Sequence, residues 1–360
     1  MRTLLLAALL AACGGEAAPP AAPPAKGTIE SLCPTDAIAL FGMRSADALK
    51  PLADLSGVPT DPLPRLAALL GFDPATVDRA QPLVLAASGA GPTLTLLASV
   101  SGAYRSFATL PGGARGGCPL AAAMPEGELF ARIDVKQLRE LYRPMIEGLL
   151  GMVEGKAGGA GEAIALVRRL LDTGESFEAV VRKEGELVTV DAHLLTSAET
   201  VAGVKDLAGL VALLPRDFPM VAGGSAAAAR LLTGLFGDTQ AAREIAMLLD
   251  GGWVLGVDGH RLCLAGRGEI GAAGFPTEAL IKALGFVPER VVVSAEGGIV
   301  RVSCDAEPDG STPRPVGPLP GELAAFVRVG DAVATLSAEG RLWRLRARAD
   351  PAALRAAYGR

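Results

Sequence analysis

The sequence predicts an α+β protein: repeated strand-helix-hairpin units forming a mainly antiparallel sheet with helices on one face. Three observations predict it. Acidic-glycine turns recur between alternating apolar runs, proline-headed strands recur ahead of those turns, and apolar residues at helical spacing lie between the two. A self-similar pattern of this kind takes priority over local assignment, because one unit alone cannot bury its apolar face.

The turns are the clearest signal. VVRKEGELVTV (180–190), VLGVDGHRLCL (254–264), VVSAEGGIVRV (292–302) and ATLSAEGRLWRL (334–345) each place an acidic residue and a glycine between two alternating runs. That is a tight hairpin, with glycine supplying the positive φ. A looser version is LVLAASGAGPTLTLL (83–97). Counted from the turn glycine, the third position holds Val188, Leu262, Val300 and Trp343, and the fifth holds Val190, Leu264, Val302 and Leu345. The fourth holds Thr189, Cys263, Arg301 and Arg344. Period-two alternation therefore puts one apolar face on a core and leaves the other wetter.

Four stretches read as proline-headed strands: PTDAIALFGMRSADAL from Pro34, PEGELFARIDVKQL from Pro125, PRDFPMVAGG from Pro215 and PGELAAFVRVGDAV from Pro320. Pro is tolerated at the first residue of a strand and not in its middle. After the second, Leu138, Leu141, Tyr142, Met145, Leu149 and Met152 keep helical spacing, with Pro144 a predicted kink, and a further helix runs from Glu162 to Leu171. After the third, Thr239 is placed to cap a helix closed near Gly251. The chain divides into a signal peptide (1–12), a tether (13–27), an N-terminal half with two units (28–200) and a C-terminal half (201–360) holding a third unit, a helix-hairpin piece and a terminal meander. This order of proline, acidic residue, strand, helix and hairpin resembles uncharacterised exported bacterial proteins, a resemblance that implies no activity.

The start of the chain carries an address. Arg2 is followed by an apolar core from Leu4 to Ala11 that is too short to span a bilayer. Its ending, Leu10-Ala11-Ala12-Cys13, resembles the lipobox of bacterial lipoproteins. The resemblance implies that Cys13 is acylated and becomes the first residue of the mature chain. Gly14 after it implies forwarding to an outer membrane, facing the periplasm or the exterior. The Pro/Ala-rich GGEAAPPAAPPAK (14–26) cannot build a core and reads as an extended spacer.

Composition bounds the function. The 360 residues are 50% hydrophobic and 20% charged, which is globular material. A net charge of −5 gives no electrostatic footprint for nucleic acid, and 4% aromatics argues against a sugar-stacking site. Zinc-protease, penicillin-binding and esterase signatures are missing from the sequence. No metal, cofactor or catalytic residue is expected. His193 shares a strand face with Thr189 and Asp191, read as an exposed polar face, and His260 as a hairpin tip. GRGEIG (266–271) matches a dinucleotide fingerprint in spacing, but Pro276 follows where a helix must start. Glu126, Glu128, Asp36 and Asp217 recur beside the strand-heading prolines and read as turn chemistry.

Two clusters remain. Cys33-Pro34 and Cys118-Pro119 both stand at the entrance to a repeat. If consecutive units pack side by side, these two approach disulfide distance, whereas Cys263 and Cys304 differ in parity and should face opposite sides, with Cys304 a buried free thiol. Arg344, Arg346 and Arg348 alternate on the last strand. They present either an anion contact for a membrane surface or a solvated face that discourages edge-to-edge pairing. The function expected is a non-enzymatic lipoprotein, held at the membrane by its lipid and binding a protein partner in the envelope or playing a structural part. The alternatives are a carrier of an apolar ligand such as a lipid, and an unrecognised hydrolase.

Overall fold

The structure is a computed structural model that describes residues 26–48, 61–89, 93–109, 115–116, 118–121, 125–156, 161–199, 207–215, 218–226, 228, 251–268, 277–278, 281, 287–306 and 324–350. Cys13, the signal peptide, the helix expected at 239–251, Asp217 and most of the tether lie outside the described residues. The chain forms two compact units. One takes in 1–143, 175–192 and 350–360, and the other 144–174 and 193–349.

Antiparallel sheet dominates both units. In the first, β1 (Lys26–Gly27), β2 (Ala37–Met43), β3 (Leu83–Ser88), β4 (Thr93–Val100), β5 (Ala103–Ala108), β6 (Leu129–Asp134) and β7 (Gly174–Glu184) precede β8 (Leu187–Thr196). Their spatial order is β1-β5-β4-β3-β2-β6-β7-β8. In the second, β9 (Met220–Gly224), β10 (Trp253–Asp258), β11 (Arg261–Arg267), β12 (Val291–Glu296), β13 (Ile299–Cys304), β14 (Ala325–Val329), β15 (Ala332–Glu339) and β16 (Leu342–Ala349) follow. These are ordered β16-β15-β14-β9-β10-β11-β13-β12.

Every hairpin expected from a turn glycine is present: β7–β8, β10–β11, β12–β13, β15–β16 and the looser β3–β4. Gly185, Gly259, Gly297 and Gly340 all adopt positive φ. Val188, Leu262, Val300 and Trp343 are all buried, as the shared-face alignment requires. The four proline-headed strands are β2, β6, β9 and β14. They pair with one another, β2 with β6 and β9 with β14, at the middle of their respective sheets.

The expected helices on one face need correction. The described helices are α1 (Ile29–Leu32), α2 (Leu63–Leu70), α3 (Val135–Lys156), α4 (Gly161–Thr173) and α5 (Leu207–Val211). Ile29 and Leu32 of α1 pack in a cluster with Leu40, Val84 and Leu97, whereas Leu63 and Leu70 of α2 pack with Leu83, Leu94 and Leu96. Residues 94 and 96 point to one side of β4 and 97 to the other, so α1 and α2 cover opposite faces. In the second unit both faces of β11 are covered, Cys263 and Ala265 packing with Leu207 and Leu210 of α5 and Leu262 and Leu264 packing with Trp253 and Val302 on the other side. The reason was visible in β4 and β11, whose near-continuous burial matches a strand covered on both faces rather than one.

Candidate functional site

The first candidate is built where α1 ends. Thr28 caps that short helix through a reciprocal pair with Ser31, and Cys33 stands at its C-cap with extended backbone. The Gly116 N–H donates to the Cys33 carbonyl (3.0 Å), and Pro34 bridges Arg115, so the segment before Cys118 is drawn against the segment after Cys33. Cys118 opens a 3-10 turn, Pro119–Ala121. Both cysteines are buried in one apolar cluster with Ile29, Leu40, Val84 and Phe130. Their side chains are hydrogen-bonded to each other. The thiols respond in opposite directions. Hydrogen bonding from Cys33, with the Ala121 and Leu120 backbone close by, holds the Cys118 pKa below the ordinary thiol range, and the Ala121 N–H donates to the Cys118 carbonyl (3.1 Å). Cys33, donating to Cys118 and buried, is pushed up. Both are free thiols buried side by side in one cluster, the proximity that a disulfide requires.

Cys263 and Cys304 lie apart in this respect. They fall in separate clusters on opposite faces, Cys263 beside Ser303 (Sγ to Oγ 3.6 Å) and Cys304 beside Leu262 and Val302. Cys304 is a buried free thiol whose pKa is pushed up to about 11 by burial and by Asp305.

The second candidate is the arginine face. Arg344, Arg346 and Arg348 sit opposite Ser337, Thr335 and Val333, on the side of β16 away from Trp343. Arg328, across from Val333 on the next strand, joins the same face. Sequence reasoning missed Arg328, because membership depends on the β14–β15 register. Just ahead of β16, Thr196 N–H bonds the Arg341 carbonyl (2.8 Å) and Arg341 Nε bonds the Thr196 carbonyl (2.6 Å). The Arg344 Nε is buried and makes no hydrogen bond.

The remaining candidates are accounted for by local structure. Asp191 is held by Arg182 (3.0 Å), which occupies the carboxylate that a His193 relay would need. His260 is at the exposed β10–β11 tip. Glu128 pairs with Arg44 (3.4 Å), and the Glu126 carbonyl accepts from Arg182 Nε (3.0 Å). Of GRGEIG, Gly268 N–H donates to the Gly298 carbonyl (3.1 Å), tying it to a neighbouring turn, and 269–271 lie outside the described residues. No cluster of three or more metal-ligating side chains occurs among the described residues, and none of their helices is long and apolar enough to cross a membrane. No family model matches the chain, and neither the curated proteins nor the solved structures contain a match to it.

Proposed function

We propose that the chain is an exported lipoprotein, acylated at Cys13 and held at the envelope, whose body binds a protein partner or serves a structural part without catalysing a reaction. The observation that carries this reading is the run Leu10-Ala11-Ala12-Cys13 followed by a Pro/Ala spacer that ends at Lys26, where β1 begins. Two or more acyl chains anchor firmly, at about 0.8 kcal/mol per buried methylene. The arginine face, Arg344, Arg346 and Arg348 with Arg328, is the surface suited to anionic head groups.

In this reading Cys33 and Cys118 form a disulfide that staples α1, and with it the tether, to the sheet. One of the two thiols, deprotonated, attacks a disulfide-bearing oxidant of the envelope, and the other then displaces it. Two protons and two electrons leave with the oxidant, which is released as a dithiol.

The test is Cys13→Ser with a fatty-acid analogue in growing cells. The expected result is loss of label and release from membranes. Retained label or retained membrane association defeats the anchor. Native mass spectrometry of gently extracted protein that showed a stoichiometric acyl ligand, beyond the anchor, would favour the carrier instead.

A further inference from the structure

We infer that the free edge of β12 is a self-association site, pairing antiparallel with β12 of a second copy of this chain across a two-fold axis centred on Val293. The inference is independent of the lipid anchor. Among the described residues, β12 ends its sheet, paired with β13 on one side only. Edges of soluble proteins are ordinarily blunted by shortness, proline, bulges or inward charges. β12 has none of these: it is six residues of VVVSAE in unbroken register with β13. Val291 and Val292, on opposite faces, are 41% and 44% exposed.

The hairpin turn fixes which backbone groups are on offer. Gly297 and Gly298 both have positive φ, a two-residue turn closed by the Glu296–Ile299 pair. That closing pair is hydrogen-bonded, so Glu296, Ser294 and Val292 direct their N–H and C=O groups toward β13. Arg290 follows the same parity, its carbonyl accepting from Asp305 N–H (3.0 Å). Val291, Val293 and Ala295 therefore direct theirs outward, to the open edge. A second β12 can use these groups about a two-fold centred on any residue from Val291 to Ala295, since such an axis passes through either kind of residue pair. Centring on Val291 runs the pairing out to Pro288, and centring on Ala295 runs it into the turn glycines. Centring on Val293 pairs Val291 with Ala295 of the partner subunit and Val293 with its own counterpart.

Charge selects the same register independently. Centred on Val293, Arg290 of each copy stands opposite Glu296 of the partner subunit, twice over. Centring on Val292 or Ser294 puts Ser294 or Gly298 opposite Arg290 instead, and both ion pairs are lost. Cross-strand opposite charges favour a register and like charges oppose it. Val293 already packs against the cluster of Trp253, Leu264 and Val302. The pairing extends that apolar layer from one copy to the next, with Val291 and Val293 as its seam. Among the registers that satisfy the backbone, this is the one that also satisfies the charges.

The experiment is sedimentation of the full-length chain in dilute non-ionic detergent, across a concentration series. The expected result is a dimer that dissociates on dilution. Arg290→Glu or Glu296→Arg alone should weaken it about tenfold, and the double exchange should restore it to within about threefold. Val293→Pro, which removes an outward N–H and spares the β12–β13 ladder, should give monomer with an unchanged far-ultraviolet spectrum. A wild-type monomer at about 100 μM, a dimer indifferent to Val293→Pro, or single exchanges that are not rescued by the double would each overturn the proposal. Should Val293→Pro misfold, the charge exchanges decide alone.

Discussion

The two units solve one packing problem at the same place and then part ways. At the centre of the first, Gly42 of β2 stands directly across from Phe130 of β6, and at the centre of the second, Gly223 of β9 stands across from Phe326 of β14. In both, the glycine is on the earlier strand, and the later strand reads Phe-x-Arg, as Phe130-Ala131-Arg132 and Phe326-Val327-Arg328. The ring lies over bare backbone: a Cβ on Gly42 would fall 1.8 Å from Phe130 Cε1, and one on Gly223 would fall 2.6 Å from Phe326 Cε1. An aromatic covering a cross-strand glycine pins register. Beyond that shared centre the units differ. β6 and β7 are separated by α3 and α4, whereas β14 and β15 are joined by a turn at Gly330. Among the described residues, the terminal meander has no helix of its own. Leu166 and Leu170 of α4, inserted earlier in the chain, pack on Trp343 and Leu336. The lesson is that strand pairing, not helix content, defines the repeat, and a helix may serve strands far from it in sequence.

The largest expected contrast concerns the cysteines, which meet in the first unit and are separated by the sheet in the second. Closing the loop of about 85 residues between Cys33 and Cys118 should stabilise by roughly 4–5 kcal/mol on the chain-entropy model. Non-reducing peptide mapping should show that one bridge, and reduction should lower the melting temperature of the wild type and not of Cys33→Ser. A Cys263–Cys304 cross-link would break the comparison.

Next come the aromatic anchors. Phe130→Ala, Phe326→Ala and Trp343→Ala should each cost about 3–5 kcal/mol in chemical denaturation, as buried aromatic truncations do. Trp343 is the sharpest of these. If Trp343→Ala leaves the midpoint unchanged, α4 does not serve the meander.

The paired glycines separate the units more finely. Gly42→Ala meets only the Phe130 ring, a side chain that can swing, whereas Gly223→Ala also meets the Trp253 carbonyl oxygen at 2.7 Å, which is backbone. Each should cost about 1–3 kcal/mol, with Gly223→Ala the worse. In a double-mutant cycle Phe130→Ala should absorb most of the Gly42→Ala penalty, while Phe326→Ala should leave much of the Gly223→Ala penalty standing. Equal rescue in both would show that the two centres are equivalent after all. The smallest effect is at the tips: Gly185→Ala and Gly340→Ala, at φ 65° and 57°, should each cost about 1–2 kcal/mol, alike in both units.

Much of this was legible because it is written at short range. A turn glycine needs positive φ, and a strand alternates with period two, so the hairpins, the burial of Trp343 and the opposite facing of Cys263 and Cys304 followed from residue spacing alone. The proximity of Cys33 to Cys118 was also foreseeable, because both hold the same position ahead of a proline. The Gly42–Phe130 and Gly223–Phe326 pairs could have been found in the recurring Phe-x-Arg, but they required knowing which strands are neighbours.

By itself, then, the sequence determined the strands, their turns and their inward faces. Tertiary structure alone decided that proline-headed strands pair with each other, that α1 and α2 cover opposite faces, that Arg328 joins Arg344, Arg346 and Arg348, and that β12 stands last among the described strands of its sheet. The physical reason is the range of the forces involved. Turn geometry and alternation are fixed by bonds between neighbours in the chain, whereas strand order and layer coverage depend on which distant apolar surfaces bury each other best, and many pairings of the same strands would satisfy the local rules equally.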